Sequence, residues 1–310
     1  MRSVKTMATH LLLVFALQIA WPAAVRAADA VPQAFGDELA KQREIYHGRR
    51  DQRLEGYVID RSLLSYIHVL GQPFAVALAR LGPGDRWIDV GAGRGKAVLD
   101  YVAGRTDAVL IDAGWANKGR ANSVALSIED RRTEEWHQAA AGLEPDKVRY
   151  LFGRSFGDYT AQELGRYQVV TDVIGGFSYT PNLTRFVRRV LEVLVPGGEF
   201  FTVLQDVSSE EGSNKPHYAG SPYLTELVNA DGTPLKVCSW LKSISCVEVT
   251  CVLRGDWKPP VEAYRVRKMC EDVKVPELVP MHYEAGTPPE RRFRLQAAPS
   301  APASTATGAR

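Results

Sequence analysis

A hydrophobic segment, Trp87-Ile-Asp-Val90, runs directly into three glycines at alternate positions, Gly91, Gly93 and Gly95. Glycine adopts positive φ without a Cβ penalty, so such a turn lets backbone meet ligand, and a helix that follows presents free N–H groups above the strand end. A strand, a glycine turn and a helix in that order belong to a wound α/β domain with a polar ligand at the turn.

The chain after this point keeps the same rhythm. Trp87 to Val90, Ala108 to Ile111, Val148 to Phe152, Gln168 to Ile174 and Glu199 to Leu204 read as five strands, with helical stretches between most of them. Such alternation predicts a parallel sheet covered on both faces. Upstream, apolar residues from Leu63 to Leu81 recur every three to four positions, an amphipathic helical pattern interrupted near Gly71 and Pro73. The fourth helix of the wound region has Phe186, Val187, Val190, Leu191 and Leu194 on one face, with Thr180 as its cap and Pro181 at its first position. Residues 208 to 222 read as a loop, and Tyr223 to Val228 as a short helical stretch. Val247 to Leu253 and Val261 to Val266 form a hairpin across Gly255 to Pro260. The expected fold is therefore α/β and doubly wound: a mostly parallel seven-stranded sheet with helices on both faces and an antiparallel C-terminal hairpin.

Asp89 followed by Gly91, Gly93 and Gly95 gives D-x-G-x-G-x-G, which resembles motif I of the class I S-adenosylmethionine-dependent methyltransferases. Dinucleotide enzymes use G-x-G-x-x-G instead, and the position where that motif needs its last glycine is Lys96. The resemblance covers about residues 60 to 270. It implies cofactor contacts from Asp89, Gly91, Ala92, Gly93 and Gly95. It further implies Asp112 on the ribose at the end of strand two, Ser155 and Phe156 against adenine after strand three, and Asp172 at the end of strand four. Leu194-Val-Pro-Gly-Gly198 is similar to the family's L-x-P-G-G turn before strand five. A sulfonium carries its methyl already activated, so positioning an acceptor in line supplies much of the rate and a base is optional. His217 and Tyr218 are candidate bases, and no catalytic residue is assigned.

Thirty-eight basic against 36 acidic residues leave a net charge of +2, which gives no global electrostatic case for nucleic acid or anionic lipid. The expected partner is a small molecule or a protein side chain, with no nucleic acid. The first 27 residues have the form of a secretory signal peptide: Arg2 and Lys5, an apolar run from Leu11 to Trp21, Pro22, then Val25-Arg26-Ala27. Export conflicts with a cofactor made in the cytosol. An uncleaved anchor, a cytoplasmic location, or an exported noncatalytic binding domain that keeps the fold are the alternatives. Residues 28 to 62 form an arm or cap, 63 to 272 the wound domain, 273 to 296 an extension, and 297 to 310 a tail expected to be disordered.

All four cysteines fall between Cys238 and Cys270, and their spacing is not that of a zinc site, so no metal is expected. They are either small core residues or disulfides. If the hairpin pairs as counted, Cys246 lies almost opposite Cys270, while Cys246 and Cys251 face opposite sides of their strand. Cys246–Cys270 is then the bridge with a geometric argument, and Cys238–Cys251 its companion.

Overall fold

The computed structural model describes residues 35–48, 61–116, 119–144, 146–205, 225–257, 261–286 and 289–297. The signal peptide, His217, Tyr218 and the tail from 298 onward lie outside the described residues.

Three helices precede the sheet: α1 (Gly36–Gly48), α2 (Leu63–Leu70) and α3 (Gln72–Arg80). The Ser62 side chain caps α2 by accepting from Ser65 N–H. Gly71, at φ 82°, separates α2 from α3. The wound region then follows as β1 (Arg86–Val90), α4 (Lys96–Val102), α5 (Asp107–Asp112), β2 (Asn122–Leu126), α6 (Glu134–Ala141) and β3 (Val148–Leu151). Next come α7 (Ala161–Leu164), β4 (Tyr167–Val173), α8 (Gly176–Tyr179), α9 (Leu183–Val193) and β5 (Leu194–Gln205). After β6 (Thr225–Val228), β7 (Pro234–Leu235) and α10 (Val237–Lys242), the sheet is completed by β8 (Val247–Arg254) and β9 (Val261–Lys268). The chain ends in β10 (Leu278–Glu284) and β11 (Glu290–Leu295).

The main sheet has the order β3-β2-β1-β4-β5-β9-β8. Its first five strands are parallel, and β9 runs antiparallel to both β5 and β8. This is the expected doubly wound sheet with its antiparallel C-terminal hairpin. Side-chain alternation divides it into two cores. Ile88, Val90, Val170 and Phe200 pack with α9 and α10 on one face. Trp87, Val169, Phe201 and Val203 pack with α2, α3 and α4 on the other. The winding of successive strands reverses between the parallel neighbours β1 and β4, which puts the topological switch point at their carboxyl ends.

Three local expectations fail. Residues 108–111 are not a strand; they lie in α5, where Leu110 alone is buried and Asp107 sits favourably in the first turn. A four-residue apolar run carries no period that separates strand from helix, and the true second strand is Asn122–Leu126. Thr180 and Pro181 precede α9 rather than begin it: Asn182 is the cap, accepting from Arg185 N–H at 2.8 Å. Within the stretch expected to be helical, Thr225–Val228 is strand β6, because it pairs with β11 in a second sheet of order β10-β11-β6-β7. That sheet reaches α1 through Glu38 and Gln42, which accept from the N–H groups of Ala285 and Gly286 at 3.0 and 2.9 Å.

All four cysteines are bridged, as Cys238–Cys251 and Cys246–Cys270, with Cα separations of 6.1 and 5.8 Å. The hairpin register is Val247 with Lys268, so Cys246 meets Met269 and reaches Cys270 one residue beyond the counted position. The first bridge ties α10 to β8, closing a loop over 13 positions. Replacing Cys238 and Cys251 together by Ala is expected to lower unfolding free energy by about 2–4 kcal/mol. Denaturant titration reads this as an earlier midpoint with the second bridge intact.

Candidate functional site

The turn after β1 has the backbone its sequence requires: Gly91, Gly93 and Gly95 have φ of 73°, 57° and 76°. Two of the three serve the protein directly. A Cβ on Gly91 would stand 2.5 Å from Gly175 Cα, and one on Gly175 would stand 2.6 Å from the Val90 carbonyl, so the turns after β1 and β4 touch through backbone. A Cβ on Gly95 would strike the Trp136 ring at 2.4 Å. Trp136 is buried against Tyr150, whose hydroxyl donates to the Gly93 carbonyl and also reaches the Glu129 carbonyl at 3.4 Å. Ala92 N–H bonds to Leu126 O at 2.9 Å and fastens the turn to β2. The loop is thus held from below and both sides.

Asp89 is completely buried. It shares the Trp87 face of β1, pointing toward α2, where it accepts from Tyr66 Oη at 3.0 Å and Thr171 Oγ1 at 2.7 Å. Trp87 Nε1 donates to the same threonine at 2.9 Å. Asp172 is equally buried on the opposite face and accepts from the N–H groups of Gly175 and Phe177 at 2.9 and 3.0 Å, fixing the start of α8. Burial pushes both carboxyls up to about 7, against the hydrogen bonds that favour their ionised forms. Just after β4, Ile174 sits at φ 58°, a left-handed conformation that strains a β-branched residue by about 1–3 kcal/mol.

The other expected contacts are distributed differently. Asp112 is exposed at the end of α5 and does not close a strand, because the segment assigned to strand two is helical. The carboxylate that follows the real β2 is Glu129, buried and paired with Arg131 at 2.9 Å. Ser155 Oγ is engaged with Asp158 at 2.6 Å, and Phe156 is buried against Phe186 with ring centroids 5.3 Å apart. The apolar groups exposed at this end of the sheet are Ile128 and Phe152, 43% and 44% exposed. Gly153 N–H to Ile128 O at 2.8 Å brings them side by side, and Arg132 lies 5.1 Å over the Phe152 ring. Tyr66, Thr171, Glu129, Tyr150, Ile128 and Phe152 were not expected from the sequence. The pattern Val124-Ala-Leu-Ser-Ile-Glu129, an apolar run ending in a carboxylate, was the available signal for two of them.

On the β4 side, the second sheet supplies a buried cation. Arg291 donates to Thr180 O at 2.8 Å and to Thr225 Oγ1. Burial lowers it to about 10, with Tyr283, Asp172 and Tyr179 in its field. Tyr283 Oη donates to Tyr179 O at 3.1 Å, so α8 is clamped from the C-terminal sheet.

The strand order β3-β2-β1-β4-β5-β9-β8 is that of a doubly wound, Rossmann-like sheet with an antiparallel hairpin at one edge. No family model matches the sequence, and no curated protein matches it. Among solved structures, the chain is similar to a 1,6-didemethyltoxoflavin-N1-methyltransferase from Burkholderia thailandensis with bound S-adenosylhomocysteine: 16% identity, 78% of this chain, 92% of that one, TM-score 0.42. An rRNA methylase from Streptococcus thermophilus is 11% identical over 64% of this chain and 94% of that one, with a TM-score of 0.39. A possible exported protein from Bordetella parapertussis is 16% identical over 67% and 68%, with a TM-score of 0.42. Among the described residues no helix is long and apolar enough to cross a membrane.

A carboxyl raised in the folded state favours folding where both states hold the proton, below about 4, and this contribution is lost as pH rises toward about 7. Asp89→Asn keeps an acceptor for Tyr66 and removes the titration. Its stability relative to the unsubstituted protein is therefore expected to rise by about 1–4 kcal/mol between pH 4 and pH 8. Urea unfolding at several pH values measures this, and a pH-independent difference contradicts the assignment.

Proposed function

We propose that the chain is an S-adenosylmethionine-dependent methyltransferase acting on a small molecule or a protein side chain. The observation that carries this is the left-handed Gly91–Gly95 turn at the β1 end, braced by Trp136 and Tyr150 beside the switch point. Such a brace fixes backbone, not side chain, as the surface that meets a ligand. The neighbouring residues fit a nucleoside: Glu129 is the carboxylate for ribose hydroxyls, and Ile128 with Phe152 offers an apolar surface for a purine. In this assignment Asp89 and Asp172 shape the floor, and Phe156 belongs to the core. When bound, the cofactor supplies an activated methyl on sulfur. This chain's part is to orient the acceptor and exclude water.

A second reading is an exported binding domain that keeps the crevice without catalysis. The two disulfides favour it, since such bonds persist in oxidising compartments. Export through residues 1–27 and the division into arm, wound domain and extension are parts of the same proposal.

Calorimetric titration of the full chain with S-adenosylhomocysteine tests the first reading. Glu129→Ala is expected to weaken binding by about 1–3 kcal/mol, and Asp112→Ala to leave it unchanged. Gly93→Val is expected to abolish it, since a β-branched residue resists φ 57° and crowds the turn. No heat of binding to the unsubstituted protein would favour the second reading.

A further inference from the structure

The outer face of the second sheet brings three metal-ligand side chains to one place. His282 and Glu284 lie on β10 and Glu290 on β11, and one imidazole or carboxylate atom from each lies within 4.8 Å of the other two. His282 Nε2 stands 4.0 Å from Glu284 and 3.9 Å from Glu290. The strand pairing explains this convergence. Pro280 pairs with Phe293 and His282 with Arg292, so Met281 is an extra residue that bulges β10. In a regular strand His282 would share the inward face of Leu278 and Pro280; the bulge turns it outward beside Glu284 and sends Tyr283 inward. Glu284 is paired directly with Glu290, and Glu290 is the diagonal neighbour of His282 across the two strands.

Two carboxylates directly opposite on one face of an antiparallel pair repel each other. The basic residue of the same row does not separate them, because Arg292 Nε donates to Glu226 at 2.6 Å. Among the described residues the charged partner of both acids is His282. Beside them a cleft of about 350 Å³, lined by Phe35, Glu38, His282, Tyr283 and Glu284, opens between the start of α1 and β10. Glu38 accepts from Ala285 N–H and pairs with Lys41 at 3.7 Å, so it borders the group without joining it. Ligand atoms about 2.0–2.2 Å from a small divalent ion stand about 3–3.5 Å from one another, so these exposed side chains need only small rotations to close on one. One imidazole nitrogen with two carboxylate oxygens suits zinc and its neighbours, whereas calcium and magnesium take oxygen alone. The other such group among the described residues, Cys238, Cys251 and Glu262, has its two sulfurs joined to each other.

We propose that His282, Glu284 and Glu290 form a binding site for a divalent transition-metal ion of the zinc class on the β10–β11 hairpin, with water completing the coordination shell. The site contains no cysteine, which is why cysteine spacing did not reveal it. A bound ion replaces the repulsion between Glu284 and Glu290 by a bridge between their strands. On the inward face of the same strands Tyr283 and Arg291 hold the Tyr179 and Thr180 carbonyls at the end of α8, so the ion staples the hairpin that clamps this helix. Its three ligands take no part in the methyltransferase reading.

The full chain, purified without a histidine tag and stripped with a chelator, is titrated calorimetrically with Zn²⁺ and separately with Ca²⁺, alongside His282→Gln, Glu284→Gln and Glu290→Gln. The expected result is a Zn²⁺ site that each substitution weakens by about tenfold or more, and no Ca²⁺ binding at the same concentrations. Zn²⁺ raises the melting temperature of the unsubstituted protein and not that of His282→Gln. Without metal, Glu284→Gln melts no lower than the unsubstituted protein, because the repulsion across the strands is relieved. X-ray absorption of the zinc complex shows nitrogen and oxygen ligands. His282→Gln and Glu290→Gln alter different strands, so each answers if the other fails to fold. Zn²⁺ affinity unchanged by the substitutions, sulfur in the zinc shell, Ca²⁺ bound as tightly as Zn²⁺, or no Zn²⁺ binding at all overturns the site.

Discussion

The crevice depends on one constraint: two neighbouring parallel strands, β1 and β4, end in turns that touch through backbone. Gly91 and Gly175 approach so closely that neither position has room for a Cβ. Parallel strands lie about 4.8 Å apart, so turns that leave adjacent ends in the same place compete for the same volume. Glycine on both sides resolves the competition. The strained Ile174 and the Asp172 bonds to Gly175 and Phe177 follow from steering the β4 turn past its neighbour. With the floor fixed there, the Gly91–Gly95 loop is directed over β2, where Leu126, Glu129 and Tyr150 hold it.

Around that floor the protein places polar groups where an apolar core would be more stable. The chain Trp87, Thr171, Asp89 and Tyr66 crosses from β1 to α2 and carries a carboxyl inside the sheet-helix interface. Asp172 and Arg291 repeat the pattern on the other side of β4. Each group is costly to bury unless its partners are in place, so the two networks specify how α2, α8 and the second sheet sit over the strand ends.

Much of this fold was legible in the sequence, for physical reasons that also explain the failures. The glycine turn was readable because its residues leave few alternatives, β4 and β5 because continuous apolar runs suit a sheet covered on both faces, and β8 and β9 because two β-rich runs flank a turn. The hairpin count also pointed to the Cys246–Cys270 bridge, one residue out of register, and left Cys238–Cys251 as its companion without a geometric argument. Residues 108–111 misled because four apolar residues carry no usable period, so the strand-end carboxylate was sought on Asp112, whereas the acid that follows the observed β2 is Glu129. Asp89 was expected as a cofactor contact, and its buried bonds to Tyr66 and Thr171 were not legible. Strand alternation puts it on the Trp87 face, yet only the tertiary fold shows that Tyr66 and Thr171 wait there. Arg291 was invisible, since its place beside α8 depends on how the second sheet closes over it.

The central claim is that a nucleoside ligand lies across the ends of β1, β2 and β3. Hydrogen–deuterium exchange of the full chain with and without S-adenosylhomocysteine tests it most directly. The account predicts added protection in residues 91–98, 127–131 and 152–155, with no change in 107–112 on the outer helix. Protection confined to other segments, or none at saturating ligand, would contradict it.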